Sequence, residues 1–158
     1  RSPIADPLLT GSIIGLPLSH NIQSLTGLYL ATLQAMAYGT KHIIEAMNDS
    51  GHSIDTIFMC GGMASNELFV QIQADVLQMP VIQGIEDQAM ILGSATLGAV
   101  ASGSFKNVVE AMKSINQAGI ITKPSKSKAV HNFHANKYKV FRELYKDYRK
   151  YERYMKDC

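Results

Sequence analysis

Residues 56–70 constrain the fold more than any other stretch, because the chain must change both direction and secondary structure there. Thr56-Ile57-Phe58-Met59-Cys60 is a short apolar run of the kind that forms a buried strand. Gly61 and Gly62 end it, and a helix is expected from Ser65 or Asn66. Two residues without Cβ atoms let the backbone bend sharply and let a ligand lie against it. The helix behind them offers unpaired N–H groups and a positive dipole end. This arrangement suits a nucleotide. It also suits a turn that does nothing but turn, with Asn66 serving only as the helix cap. No Gly-Lys-Ser/Thr follows and the glycines are not spaced GxGxxG, so neither a P-loop nor a dinucleotide fingerprint is present. Without a lysine to reach phosphate, a bound nucleotide would touch the turn through base and ribose. Asn66 would then offer an amide donor and an acceptor to a purine edge.

The elements around this turn alternate. Residues 1–20 carry Pro3, Pro7, Gly11, Gly15 and Pro17 and read as loop. Ser24 or Thr26 is positioned to cap a long helix to about Asn48, whose apolar residues wrap widely enough to predict deep burial. After the glycine turn a helix is expected to Leu77, with Leu68, Ile72 and Val76 on one face. Pro80-Val81-Ile82 reads as a short strand. A helix of small residues follows from about Asp87 to Ser102, suited to close packing on a neighbour. Ser104-Phe105 opens another helix to about Gln117. Ile120-Ile121 fits an edge strand, 124–128 a polar linker, and Asn136 to about Met155 a last helix. This order predicts an α/β layered fold. Two or three strands make a thin sheet for 158 residues, and the chain opens at Arg1 in loop-like sequence, so a fragment of a larger domain is expected.

The net charge of +2 conceals a division. Residues 1–122 hold four basic and nine acidic residues, whereas 123–158 hold eleven basic and four acidic. In the tail, Tyr138, Phe141, Tyr145, Tyr148 and Tyr151 recur every three or four residues. That spacing predicts the inner face of a docked amphipathic helix, with nucleic-acid binding as the competing use. His131-x-x-His134 lacks a carboxylate or cysteine partner in sequence and reads as a solvated pair. Cys60 reads as a buried small hydrophobe. With Cys158 as the only other cysteine, no disulfide framework is expected, which points to a reducing compartment. No run reaches membrane length and no secretory signal is visible. No nucleophile or acid–base pair stands out; Asp6, Asp55, Asp75 and Glu86 have no spacing that assigns a role.

Three segments together resemble the C-terminal part of the FGGY carbohydrate kinases. Arg1-Ser2-Pro3-Ile4-Ala5-Asp6-Pro7 with Gly11 and Gly15-Leu16 is similar to the family's GxRxPxxDP loop and the entry to its long helix. Residues 29–35 with Gly39-Thr40 resemble that helix. The glycine turn, with Gln71, Gln73-Ala74-Asp75 and Leu92-Gly93-Ser94-Ala95, resembles the adenosine-binding portion. The resemblance covers residues 1–122, and its phrasing is nearest the FGGY-domain or D-ribulose kinase group. Thr10 stands where an arginine often sits, and Gln88 at a usual glutamate position. The resemblance implies a ribonuclease-H-like lobe of the actin/hexokinase type, followed from residue 123 by a linker and a basic, tyrosine-rich helix. It implies transfer of the ATP γ-phosphoryl group to a sugar hydroxyl, a pentulose such as ribulose, with ATP and Mg²⁺ as cofactors, in the cytoplasm. Gly61, Gly62 and Asn66 would contact the adenosine. The catalytic base and the sugar-binding residues would belong to a missing N-terminal lobe, so the isolated chain is expected to be inactive. A non-catalytic binding or regulatory product of the same family is the alternative. Neither nucleic acid nor membrane is expected as a partner.

Overall fold

The computed structural model describes residues 3–7, 9–86 and 88–156. Arg1 and Ser2 of the opening motif, the helix start expected at Asp87, and Cys158 lie outside them.

The first helix, α1 (Ile22–Asp49), starts two to four residues before the expected caps. Asn21 takes the cap position, its side chain accepting from the Ser24 backbone N–H at 3.0 Å. Strand β1 (Ile57–Met59) leads through a single 3₁₀ turn (Gly62–Ser65) into α2 (Glu67–Leu77). Strand β2 (Val81–Gln83), α3 (Ala89–Ala101), α4 (Val108–Ile115), β3 (Ile120–Thr122) and α5 (Lys128–Lys156) complete the order. Helix α4 begins later than expected because Asn107, not Ser104, caps it, accepting from Glu110 N–H at 2.9 Å. Helix α5 begins eight residues earlier than expected. The polar stretch before it supplies caps instead of a long linker: Ser125 Oγ accepts from Ser127 N–H at 3.2 Å.

The sheet order is β1-β2-β3, with β1 and β2 parallel and β3 antiparallel on β2. Among the described residues β1 pairs on one side only. Just before β3, a Cβ on Gly119 would lie 2.5 Å from the Gln83 carbonyl oxygen, so only glycine permits this approach.

Helix α2 is the centre of the molecule. Val70 and Ala74 face Val81 of the sheet, with Ile57 and Met59 beside them. Its opposite side, Phe69, Ile72 and Val76, packs against Leu33, Ala37 and Tyr38 of α1 and Tyr138 of α5. Leu68 does not join the expected face; it is half exposed, because the core surrounds the side of α2 away from it. Helix α1 is also less buried than expected, with Ile22, Leu25, Tyr29 and Met36 exposed.

The aromatic stripe of the tail is an inner face, as its spacing suggests, but only in its first half. Tyr138 stacks on Phe141 at a ring distance of 6.2 Å, while Tyr151 and Tyr154 are exposed. Polar contacts fix the docking. Tyr38 Oη and His134 Nδ1 share a buried hydrogen bond of 2.9 Å. Tyr138 donates to Glu45 at 2.5 Å, and Arg142 pairs with the same carboxylate at 3.2 Å. Asp75, buried, accepts from Ser125 N–H at 2.6 Å and from Gln71 at 2.9 Å. His134 is therefore a buried, partnered side chain and not half of a solvated pair. Arg149, further along α5, reaches Asp6 at 2.7 Å and ties the opening loop to the tail.

Candidate functional site

The two glycines sit where β1 ends, at the carboxyl edge of the parallel pair β1–β2. In open α/β sheets that edge is where ligands gather. Gly61 has φ 87° and ψ −179°, a backbone region that is essentially restricted to glycine. Gly62 has no such requirement, and a Cβ on either residue would meet no atom of the described residues within 4 Å. Packing inside this chain therefore does not demand glycine at 62; the space in front of it is open.

The turn itself is tightly held. Ala64 N–H donates to the Gly61 carbonyl at 2.9 Å, and Ser65 Oγ donates to the Gly62 carbonyl at 2.8 Å. Gln83, at the end of β2, donates its side-chain amide to the Ala64 carbonyl. Asn66 caps α2: its Oδ1 accepts from Phe69 N–H at 3.1 Å, and its Nδ2 donates to the Tyr29 hydroxyl of α1 at 3.3 Å. The cap uses one lone pair of Oδ1 and the bond to Tyr29 one Nδ2 hydrogen, so Asn66 keeps one amide hydrogen and one acceptor lone pair. Gly61, Gly62 and Asn66 thus share one rigid turn braced from α1 by Tyr29 and from β2 by Gln83. Neither brace was visible in the sequence, because Tyr29 lies 37 residues from Asn66 and Gln83 lies 19 residues from Ala64.

Cys60, next to the turn, is exposed and not a buried hydrophobe, since β1 ends at Met59. Beyond Gln83 a cavity of about 750 Å³ opens between the outer sheet face and α3 and α4. Phe58, Ile82, Met90, Leu97 and Met112 line it. The small residues of α3 do not produce the expected close packing: Gly93 and Gly98 have no neighbour within 4 Å of a built Cβ, and Thr96 is the helix's one buried residue among those described. A helix that is apolar all round, as α3 is, is ordinarily enclosed.

Residues 1–102 match the C-terminal domain of the FGGY family of carbohydrate kinases. The chain belongs to that family. It is 45% identical over 157 residues to the FGGY carbohydrate kinase domain-containing protein of Homo sapiens, which covers 99% of this chain and 28% of the relative. A D-ribulokinase of Saccharomyces cerevisiae is 43% identical over 106 residues, covering 66% of this chain and 15% of the relative. The crystal structure of xylulose kinase from Rhodospirillum rubrum superposes with a TM-score of 0.73 at 26% identity, over 92% of this chain and 29% of that one. The fold is accordingly the C-terminal part of an FGGY kinase lobe, of the actin/hexokinase ATPase type with its ribonuclease-H-like core. This FGGY segment spans little more than a quarter of the length of the curated relatives that it matches along nearly all of its own length.

Proposed function

We infer that this chain is the ATP-binding, C-terminal part of a cytoplasmic carbohydrate kinase that moves the γ-phosphoryl group of ATP to a hydroxyl of a pentulose such as ribulose. The observation that carries the reading is the open, rigid Gly61-Gly62 turn at the carboxyl edge of β1, in a chain of this family. The names of the relatives, ribulokinase and xylulose kinase, favour a pentulose.

In this reading the turn holds the adenosine. Gly62 leaves space for it, and Asn66 contributes its remaining amide hydrogen. ATP supplies the phosphoryl group. Transfer consists mainly of positioning and charge stabilisation, so a site that fixes the nucleotide does part of the work. Among the described residues no three His, Cys, Asp or Glu side chains converge. In this reading the ATP phosphates carry magnesium, and the base that accepts the hydroxyl proton comes from outside this segment. The free side of β1 and the apolar cavity under α3 suit the rest of such a kinase chain, including the N-terminal lobe. We divide the segment into a kinase domain to residue 122 and a linker with a basic helix from 123.

Saturation-transfer NMR with ATP on the 158-residue chain tests the reading. Transfer to adenine H8 and ribose H1′ is expected, with no phosphorylation of D-ribulose by the isolated chain. Absence of any transfer from the protein to ATP would remove the assignment.

A further inference from the structure

We propose that Tyr29 is a third nucleotide-contacting residue, its hydroxyl donating to an acceptor atom of the adenosine beside Asn66. The inference rests on the reading of the glycine turn as a nucleotide site.

Tyr29 Oη accepts from Asn66 Nδ2 at 3.3 Å, so its own proton points elsewhere. A phenol carries one proton to donate, and an amide nitrogen carries two. No described residue accepts the Tyr29 proton, and none accepts the second Nδ2 hydrogen. Two donors therefore stand side by side, both unspent.

Their positions are fixed. The Asn66 amide cannot flip, because its Oδ1 is committed to the Phe69 N–H. Tyr29 is carried by a helix of 28 residues whose next residue, Leu30, packs on the core. Tyr29 is 53% exposed, so a ligand can reach the side chain. The pair lies at the end of a turn in front of which both glycines leave open space. Two adjacent donors favour an acceptor, such as a ribose oxygen or a purine ring nitrogen, within reach of both.

The test uses the 158-residue chain and three variants, with ATP, adenosine and inorganic tripolyphosphate as probes. Tyr29→Phe removes the hydroxyl and keeps the ring. Asn66→Ser keeps a cap oxygen and removes the amide donor. Each is expected to weaken ATP and adenosine alike by about two- to ten-fold, the loss of one hydrogen bond. Tripolyphosphate binding should stay at its wild-type value, and the unfolding temperature of Tyr29→Phe should fall only slightly, because the bond that it loses to Asn66 is exposed. Gly62→Arg separates the two levels of inference. If Gly62→Arg abolishes ATP binding while Tyr29→Phe binds ATP and adenosine like wild type, the Tyr29 assignment falls and the turn stands. If Gly62→Arg also binds ATP like wild type, both fall.

Discussion

Two adjacent glycines serve different ends. Gly61 is required by its backbone, at φ 87° and ψ −179°, and Gly62 by nothing among the described residues. Gly61→Ala should therefore cost about 1–3 kcal/mol of stability, the range for a side chain forced into such a region. Gly62→Ala should leave the denaturant midpoint nearly unchanged. Asn66→Ala should cost about 1 kcal/mol through the lost cap alone. The need for two glycines was legible in the sequence, but the reason for each was not, because φ at one position depends on how the 3₁₀ turn is laid down. Cys60 shows a similar gap. An apolar run of five residues gives no sign of ending its strand at Met59.

At the level of elements, α5 is held to α1 and α2 by a polar set that depends on proton occupancy. Burial pushes the Tyr38 phenol up to about 12, so it keeps its proton and can donate to His134 Nδ1. Burial also lowers the pKa of His134 below its ordinary 6.5; Asp75 opposes this, and Lys137 and Lys41 add to it. His42 is lowered as well, first by burial and then by Arg142, against Glu45. Groups lowered on folding bind protons better when unfolded. Their contribution is thus complete above about 6.5 and is lost as pH falls through the lower folded values. The thermal midpoint should drop between pH 7.5 and pH 5, and His134→Gln should make that drop shallower while leaving the share of His42. A midpoint that is flat over this range would contradict the account. In the sheet, Gly119→Ala forces a Cβ to 2.5 Å from the Gln83 carbonyl. It should destabilise by about 1–3 kcal/mol, as overpacking does, and hydrogen exchange should show the loss concentrated in β3. The amphipathic spacing of α5 revealed the docking of Tyr138 and Phe141. The start at Lys128 stayed hidden, because Ser127 and Lys128 resemble a linker until Asp75 anchors Ser125 from fifty residues away.

The molecule as a whole buries one side of its sheet and leaves the other thinly covered. Helix α2 is enclosed by α1, α5 and the strands, while Phe58, Met90, Leu97 and Met112 remain exposed around the cavity. An apolar surface of this kind lies beside a strand that, among the described residues, pairs on one side, and such surfaces favour association. At micromolar concentrations the chain should bind a hydrophobic dye and self-associate. Phe58→Lys should reduce both in sedimentation velocity, with stability changed by no more than about 0.5 kcal/mol. The alternation of helices and strands was enough to read the layers. The cavity was not readable, since α3 has the composition of an enclosed helix and the structure encloses little of it.

The central claim is that the Gly61-Gly62 turn holds the adenosine of ATP. It is tested most directly by titrating ATP into the wild-type chain and into Gly62→Arg, with thermal unfolding followed in parallel. The account predicts binding by wild type, loss of binding in Gly62→Arg, and coincident unfolding curves, because the arginine enters open space. Equal ATP binding by the two chains would contradict it.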